Sequence, residues 1–196
     1  MRPHPSPRIR LEQYTIPASI AADILHLAAF VYQDIVGKMV ADLGTGTGRL
    51  AIGAAFLGAR GVTGIDIDPA AIAVARENCR VANVDVDWVV GDLDAIHRGF
   101  DTVVMNPPFG TKRKHLDKFF LRKSIETGRV IYSIHKSATR EHILSYLKRR
   151  KCKVSAIYEY DLEIPRMFEH HRKRRYIAKV DCYRIESGTL QRDRGS

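Results

Sequence analysis

The stretch Asp42–Gly48 has the sequence Asp-Leu-Gly-Thr-Gly-Thr-Gly. This stretch begins within an apolar run, Lys38–Leu43, that predicts a buried strand. After it, small and apolar residues as far as Gly58 predict a helix. A strand, a glycine-rich turn and a helix in this order are typical of nucleotide-binding folds, because glycine lets the backbone approach a ligand closely. The pattern predicts an α/β fold with a ligand site at the turn.

Acidic residues end the first three predicted strands. Asp42 stands before the glycines, where a carboxylate suits a ligand with an ammonium group and a carboxylate better than one with a pyrophosphate. The strand Gly61–Ile67 ends with Asp66, about 20 residues after the glycines, where an acid holds ribose hydroxyls. Asp92 follows the short strand Val86–Val90 and can accept a hydrogen bond from an adenine amino group. We therefore predict S-adenosyl-L-methionine as the cofactor, although each acid could instead be a turn or cap residue.

A fourth predicted strand, Phe100–Met105, runs into the loop Asn106-Pro107-Pro108-Phe109. The side-chain oxygen of Asn106 and the carbonyl of Pro107 can accept the two N–H bonds of a planar exocyclic amine and hold its nitrogen in line with a methyl donor. Pro108 stiffens the loop, and Phe109 can stack on the base. The loop is the predicted catalytic site, and an ordinary Asn-Pro turn is the alternative.

Apolar residues at helical spacing come before the first strand. Ile20, Ile24 and Val31 predict an amphipathic helix packed on the sheet. Gln13 and Tyr14 lie just before this helix, where they could close over a ligand or simply begin the helix.

Length and composition predict one globular domain. With 196 residues, 45% of them hydrophobic, the chain is long enough for a full core. We expect a flexible N-terminal segment at 1–10, a single domain at 11–186 and a flexible tail at 187–196. No apolar run approaches the roughly 20 residues of a membrane span and no apolar signal region is present, so we expect a cytoplasmic protein. The three cysteines match no zinc spacing, and no metal site is predicted.

Positive charge predicts a polyanionic partner. The net charge of +10 and the pI of about 9.7 favour nucleic acid, with a generally basic soluble surface as the alternative. Basic residues directly follow the Asn-Pro-Pro-Phe loop and can hold phosphates beside a base. For His135, a satisfied loop histidine is an equal alternative. The residues predicted to contact RNA are Lys112, Arg113, Lys114, His135, Lys136, Arg172 and Lys173.

Several linked motifs together resemble the methyltransferase-like 5 family, the ribosomal RNA adenine-N6 methyltransferases of eukaryotes and their archaeal relatives. The motifs are Leu11–Tyr14, Ala41–Gly44, Gly64–Asp68, Asp101–Lys112 and Tyr132–Ser137. The resemblance implies a class I S-adenosylmethionine-dependent methyltransferase fold, Rossmann-like, with a seven-stranded, mostly parallel sheet and one antiparallel strand. It also implies N6-methylation of an adenosine in small-subunit ribosomal RNA, and a heterodimer with a small zinc-binding activator subunit. The proline-rich N-terminus and compact length are similar to archaeal members.

The resemblance and the glycine turn together give the predicted cofactor contacts. Thr45 and Thr47 stand where eukaryotic members usually have cysteines, and Ile16 and Arg49 occupy contact positions where other side chains are expected. The predicted set is Gln13, Tyr14, Ile16, Asp42, Gly44, Gly46, Thr47, Arg49, Asp66, Ile67, Asp92, Leu93 and Asn106.

The third strand is predicted to be an edge of the sheet and the docking site of the partner. Val86, Trp88 and Val90 make it apolar, and it contains no Lys or Pro that would protect an edge. The alternative is that Trp88 points inward and a local segment covers the edge.

The alternative activities are methylation of a protein glutamine N5 or of a DNA amino group, and a non-catalytic RNA-binding protein is a further possibility.

Overall fold

The structure is a computed structural model that describes residues 1–4, 16–97, 99–108, 116–165 and 175–188. Of residues 163–165, 175 and 176 it describes the backbone alone. Within these ranges, no helix has both the length and the apolar character needed to cross a membrane.

Strands and helices alternate along most of the chain. The strands are β1 (Met39–Leu43), β2 (Gly61–Asp66), β3 (Asp87–Val90), β4 (Phe100–Met105), β5 (Gly128–Lys136), β6 (Lys153–Pro165) and β7 (Arg175–Glu186). The helices are α1 (Ala18–His26), α2 (Arg49–Phe56), α3 (Pro69–Ala82), α4 (Leu116–Thr127) and α5 (Arg140–Arg149). A π-helical turn, Leu27–Val31, continues α1, and two 3₁₀ turns lie at Leu93–Ala95 and Ser137–Thr139.

The seven strands form one sheet in the order β3-β2-β1-β4-β5-β7-β6. Neighbours from β3 to β5 pair in parallel, and β7 is antiparallel to both β5 and β6. The predicted seven-stranded, mostly parallel sheet with one antiparallel strand is therefore confirmed. The strand order reverses direction between β1 and β4, and open α/β sheets bind their ligands at such a point, beyond the carboxyl ends of the strands.

Two apolar clusters cover the two faces of the sheet. In β4, Val104 packs into the cluster under α1 and α2, whereas Val103 and Met105 pack into the cluster under α4 and α5. This alternation follows from the two-residue period of a strand, and burial on both faces explains why the three consecutive residues Val103, Val104 and Met105 are all apolar. The buried carboxyl end of β4 fixes the position of the loop that follows it.

The first helix departs from its predicted pattern at its carboxyl end. Ile20 and Ile24 are buried as expected, but Val31 is 58% exposed. The N–H of Tyr32 donates to the carbonyl of Leu27 (3.0 Å), five residues back, which defines the π turn. The wider turn rotates the residues after it, so Val31 leaves the buried face and that part of the prediction is wrong.

The β6–β7 hairpin extends beyond the rest of the sheet. Its pairing runs from Lys153–Glu186 to Pro165–Arg175, whereas β5 pairs with β7 only as far as Lys136–Val180. Since β7 is antiparallel to β5, the additional pairs lie past the carboxyl end of β5. The two-stranded overhang therefore stands at the same edge of the sheet as the strand ends that were predicted to bind ligand.

Candidate active site

The glycine turn between β1 and α2 is closely packed. Gly44 and Gly48 have φ angles of +71° and +86°, a region that disfavours side chains. A Cβ at Gly44 would lie 2.7 Å from Cε1 of Phe120, and a Cβ at Gly48 would lie 2.6 Å from Cη2 of Trp88. A side chain at either position would be strained and would require the ring of Phe120 or Trp88 to move, so both positions strongly favour glycine.

The buried carboxylate of Asp42 holds the glycine turn and the start of α2 by hydrogen bonds. It is 1% exposed, and its Oδ2 accepts hydrogen bonds from Oγ1 of Thr45 (2.7 Å) and from the N–H of Ala51 (3.0 Å). Burial raises the pKa of Asp42 to about 7; the bonds from Thr45 and Ala51 act in the opposite direction, and the nearby charge of Asp66 adds to the rise. Asp42 therefore changes protonation near neutral pH.

Asp66 ties the end of β2 to the same turn. Its Oδ2 accepts from the N–H of Gly46 (2.8 Å), and its Oδ1 accepts from the N–H of Asp68 (2.9 Å). Burial raises the pKa of Asp66, while these two hydrogen bonds and the His4 imidazole lower it. The residue that caps α3 is Asp68 and not Asp66, since Oδ1 of Asp68 accepts from the N–H of Ala70 (3.0 Å), so the helix-cap alternative does not hold for Asp66. Each Asp66 oxygen already accepts one backbone N–H, and a ligand would share the remaining lone pairs.

A cavity opens at the carboxyl ends of β1, β2 and β4, beside the glycine turn. Gln13 and Tyr14 lie outside the described residues. Every other residue predicted to contact the cofactor lines this cavity: Ile16, Asp42, Gly44, Gly46, Thr47, Arg49, Asp66, Ile67, Asp92, Leu93 and Asn106. Residues spread over some ninety positions of sequence therefore meet at one place, although their contacts with a cofactor stay predictions.

Arg49 places a partly paired guanidinium in the cavity wall. Its Nη1 donates to the carbonyl of Ile16 (2.7 Å). Its Nε is buried without a hydrogen-bond partner in the described part of the chain, and burial lowers the pKa of the group. A buried donor without an acceptor is unfavourable. The cavity thus has carboxylates and a guanidinium together, a donor set that fits a zwitterionic ligand such as the amino-acid part of S-adenosyl-L-methionine.

The predicted catalytic loop lies at the same cavity. Asn106 and Pro108 line it, and Pro107 is buried between them. Phe109 lies outside the described residues. Asn106 and the predicted cofactor contacts therefore line one cavity, and methyl transfer requires the donor and the acceptor to be held close together in this way.

Sequence reasoning missed several residues of this cavity. Phe119 and Phe120 of α4 line it, packed edge to face with their ring centroids 6.2 Å apart, and His4 lines it from the N-terminal segment. An adjacent Phe pair in an amphipathic helix has no distinguishing pattern. Only the packing of Phe120 on Gly44 shows its place, and that contact depends on tertiary structure.

The predicted RNA contact at His135 is wrong. His135 is 3% exposed, its Nε2 lies 2.6 Å from Oγ of Ser133, and its ring packs edge to face on Tyr183. Burial lowers the pKa of His135 to about 4, so the ring is neutral. The strand β5 continues through Lys136, which turns His135 inward with Ser133. The alternative of a satisfied histidine is therefore the correct one.

The other residues predicted to contact RNA remain predictions. Lys136 is partly exposed at the end of β5. Lys112, Arg113, Lys114, Arg172 and Lys173 lie outside the described residues.

A second buried charged group lies away from the cavity, and we call it the Arg184 cluster (Asp34, Tyr132, Arg184 and Glu186). Arg184 donates from Nε to Asp34 Oδ2 (2.8 Å) and from Nη1 to Glu186 Oε1 (2.6 Å). The Tyr132 hydroxyl donates to the same Asp34 oxygen (2.7 Å). These contacts join the loop after α1 to β5 and β7.

The strand order and the position of the cavity are those of class I S-adenosyl-L-methionine-dependent methyltransferases. A family model described as ribosomal protein L11 methyltransferase (PrmA) matches residues 25–133, more than half of the chain. The protein is therefore a methyltransferase of this class, and S-adenosyl-L-methionine is its cofactor.

Similar proteins extend over almost the whole chain. The rRNA N(6)-adenosine-methyltransferase METTL5 of Danio rerio is 39% identical, over 91% of this chain and 90% of its own length. An uncharacterised protein of Methanocaldococcus jannaschii is 40% identical, over 95% of this chain and 89% of its own length. A crystal structure from Pyrococcus horikoshii, of a protein proposed to be an RNA methyltransferase, superposes with a TM-score of 0.88 at 38% identity, covering 95% of this chain and 92% of that one. The chain belongs to the methyltransferase-like 5 family.

Proposed function

We propose that the protein transfers a methyl group from S-adenosyl-L-methionine to N6 of an adenosine in RNA, and that the substrate is small-subunit ribosomal RNA. The observation that carries this proposal is the position of Asn106, which lines the same cavity as the predicted cofactor contacts at the point where the strand order reverses. The full-length relative from Danio rerio is named for rRNA adenosine methylation, which supports the choice of base and of nucleic acid.

Different residues of the cavity would bind different groups of the cofactor. When bound, S-adenosyl-L-methionine supplies a methyl group on a positively charged sulfur. Asp42 suits its ammonium group, and Arg49, with its unpaired buried Nε, suits its carboxylate. Asp66 suits the ribose hydroxyls and Asp92 suits the adenine amino group. Each pairing joins groups of opposite charge, or a donor and an acceptor, in a partly buried site.

Asn106 and Pro107 would hold the target nitrogen. The N6 lone pair of adenine is delocalised into the ring, so the amine is a weak nucleophile. Two acceptors, the Asn106 side-chain oxygen and the Pro107 carbonyl, orient the amine and favour a pyramidal nitrogen in the transition state. The proton becomes acidic only after the new bond forms, so no base is needed at the start. Phe109 would stack on the base.

The target adenosine must leave any duplex to reach this loop. A base inside a helix is stacked and paired, and flipping it out costs a few kcal/mol. We therefore propose an unpaired or flipped adenosine, held by phosphate contacts from Lys112, Arg113 and Lys114 after the loop. Arg172 and Lys173 belong to the sequence between β6 and β7, whose overhang stands at the same edge of the sheet.

Replacing Lys112, Arg113 and Lys114 with Ala should flatten the salt dependence of RNA binding. An unchanged salt slope would instead mean that these three residues form a solvated face.

The partner subunit is proposed to dock at β3. This strand is an edge of the described sheet, and Val89 and Val90 are 42% and 51% exposed. Trp88 turns inward onto Gly64, as the alternative interpretation holds, and Val86 is half-buried, so the backbone edge and the two valines remain for a partner. The family resemblance implies that the partner is a small zinc-binding activator, which would add a strand to the sheet.

Hydrogen exchange of the protein, alone and with the partner, tests this docking site. The amides of Asp87–Val90 that point away from β2 should exchange quickly in the free protein and slowly in the complex. Protection that appears elsewhere and leaves β3 unchanged would exclude the site. The amides of β6, the opposite edge of the sheet, serve as the internal control.

The proposed reaction is tested with labelled S-adenosyl-L-methionine and separate pools of total RNA, DNA and protein, followed by nucleoside and amino-acid analysis. Label in N6-methyladenosine from RNA is the expected result, and the same reaction with Asn106→Ala should incorporate label about a hundredfold more slowly. Label in glutamine or in DNA would support the alternative activities, and no label in any pool, with or without the partner, would support a non-catalytic RNA-binding protein.

A further inference from the structure

His4 occupies the wall of the cofactor cavity although it lies far from the glycine turn in sequence. Its side chain is 6% exposed, and its Nε2 lies 3.2 Å from Oδ2 of Asp68, whose own side chain is fully buried. Asp66, the proposed ribose ligand, is two residues before Asp68 and lines the same cavity. An imidazole at this place is a polar group that a ligand in the cavity would meet.

Two-way hydrogen bonding fixes the segment that carries His4. The N–H of Arg2 donates to Oδ1 of Asn78 (2.6 Å), and Nδ2 of Asn78 donates back to the carbonyl of Arg2 (3.1 Å). The same Nδ2 also donates to the carbonyl of Thr47 in the glycine turn (3.0 Å). One buried asparagine of α3 thus connects the N-terminal segment to the loop that lines the cavity.

The electrostatic surroundings of His4 are mainly acidic. Asp66 and Asp68 face it from the end of β2 and the start of α3, and His4 is one of the groups that lower the pKa of Asp66 against the effect of burial. Other charged groups lie on the elements around the segment and the cavity: Arg76, Glu77 and Arg80 on α3, and Asp42, Arg49 and Asp92 in the cavity wall. A carboxylate that accepts ribose hydroxyls must be ionised to accept strongly, so a donor beside the pair Asp66–Asp68 assists that state.

We propose that His4 is a positioning residue of the cofactor site, which closes the ribose side of the cavity and orients the Asp66–Asp68 pair through its bond to Asp68. This inference rests on the proposed placement of the cofactor ribose at Asp66. It assigns to the N-terminal segment a part in holding S-adenosyl-L-methionine, with no part in the chemistry at Asn106.

The test is calorimetric titration of S-adenosyl-L-methionine into the full chain, with its purification tag at the C-terminus. His4→Ala should weaken binding about tenfold, the effect of losing one hydrogen bond to a charged group. His4→Gln, which can still donate to Asp68, should recover most of the affinity. Arg2→Ala is the matched control, because that side chain is 76% exposed and approaches only Glu77, at 4.0 Å; it should bind as the wild type does.

A second readout separates positioning from a purely structural role. In methyl-transfer assays His4→Ala should raise the KM for S-adenosyl-L-methionine about tenfold and leave kcat and the KM for RNA unchanged, and the melting temperature without cofactor should match that of wild type. Wild-type affinity in His4→Ala overturns the proposal, and so does a His4→Gln variant as weak as His4→Ala. If Asp66→Ala also binds like wild type, the placement of the ribose fails as well; if Asp66→Ala binds weakly, only the role of His4 fails.

Discussion

Two buried charged groups in this protein differ in how completely they are paired. In the Arg184 cluster, Arg184 donates to both Asp34 and Glu186, and Tyr132 supplies a further donor to Asp34. In the cavity cluster (Asp42, Arg49 and Asp66), Nε of Arg49 has no partner among the described residues, and the pKa values of both acids are raised by burial. One group is complete without a ligand, and the other is not.

Complete pairing distinguishes a buried charge that stabilises the fold from one that binds a ligand. A fully hydrogen-bonded ion pair joins distant parts of a chain and needs nothing more, so it indicates structure. A buried charge with an unmet donor beside a cavity indicates a ligand, because the folded protein alone does not compensate its burial. Removing a residue from the first group should therefore reduce stability, and removing one from the second should reduce binding or turnover.

The largest expected effect is on stability, from Arg184→Met. The change leaves Asp34 buried without its cation, and breaking a buried pair from one side costs about 3–5 kcal/mol. Urea denaturation measures this loss in the free energy of unfolding. The control is Lys153→Met, which removes the 72%-exposed cation on the other side of Glu186 and should change stability by less than about 0.5 kcal/mol. A loss below about 1 kcal/mol for Arg184→Met would show that the cluster contributes no more than a surface pair.

Asn106→Ala should have the next largest effect, on turnover. The variant loses an acceptor that acts chiefly in the transition state, so kcat should fall about a hundredfold, or about 3 kcal/mol. Steady-state assays on RNA give this number, while calorimetry should find a much smaller loss of affinity for S-adenosyl-L-methionine, since Asn106 is only one of several predicted cofactor contacts. A variant with near wild-type turnover would refute the mechanism.

The pH dependence of stability should follow Asp42. Its pKa of about 7 in the folded protein exceeds its ordinary value of 3.8. The folded state therefore binds the proton more tightly, and the free energy of unfolding falls as pH rises from about 4 to about 7. Between pH 5 and pH 8 we expect Asp42 to account for a loss on the order of 2 kcal/mol. Asp42→Asn should remove this part of the slope in urea titrations, and an identical slope in both proteins would contradict the assignment.

The smallest expected effect is on affinity, from Asp66→Ala. Loss of a charged acceptor for the ribose hydroxyls should weaken S-adenosyl-L-methionine binding by about tenfold to thirtyfold, or about 1.5–2 kcal/mol. The domain should stay folded by circular dichroism. The matched control is Glu77→Ala, an acid on the neighbouring helix that is absent from the cavity wall. Equal affinity in both variants would place the ribose elsewhere.

Much of this site is predictable from sequence because parallel strands bring their carboxyl ends to one edge. An acid or an amide at the carboxyl end of each apolar run, as at Asp42, Asp66 and Asn106, then lies at the same edge of the sheet. The class of fold follows from the same regular alternation of strand and helix. Local patterns carry this information, so no knowledge of packing is needed.

The remaining features depend on contacts between distant segments. His4 reaches the cavity through a bond pair with Asn78, and nothing in either local sequence signals it. Sequence alone favours a loop at His135, but β5 continues through this residue to Lys136 and turns its side chain inward. The π turn after α1 has no sequence signature of its own, so the exposure of Val31 was not foreseen. Element ends and long-range pairs are decided by tertiary energy.

The length of the β6–β7 overhang sets a distance in the molecule. Between the last β5 pair at Val180 and the last hairpin pair at Arg175, β7 advances about 16 Å at a strand rise of 3.3 Å per residue. The number of residue pairs in the overhang therefore determines the distance between the end of β5 and the start of the basic sequence that joins β6 to β7. Leu162 and Ala178 are paired and both buried, so a one-residue deletion would turn buried side chains outward. The overhang can change length only in steps of two residues per strand, about 6.6 Å each, so the distance from the predicted phosphate contacts of the basic sequence to the proposed methylation site would change only in these steps.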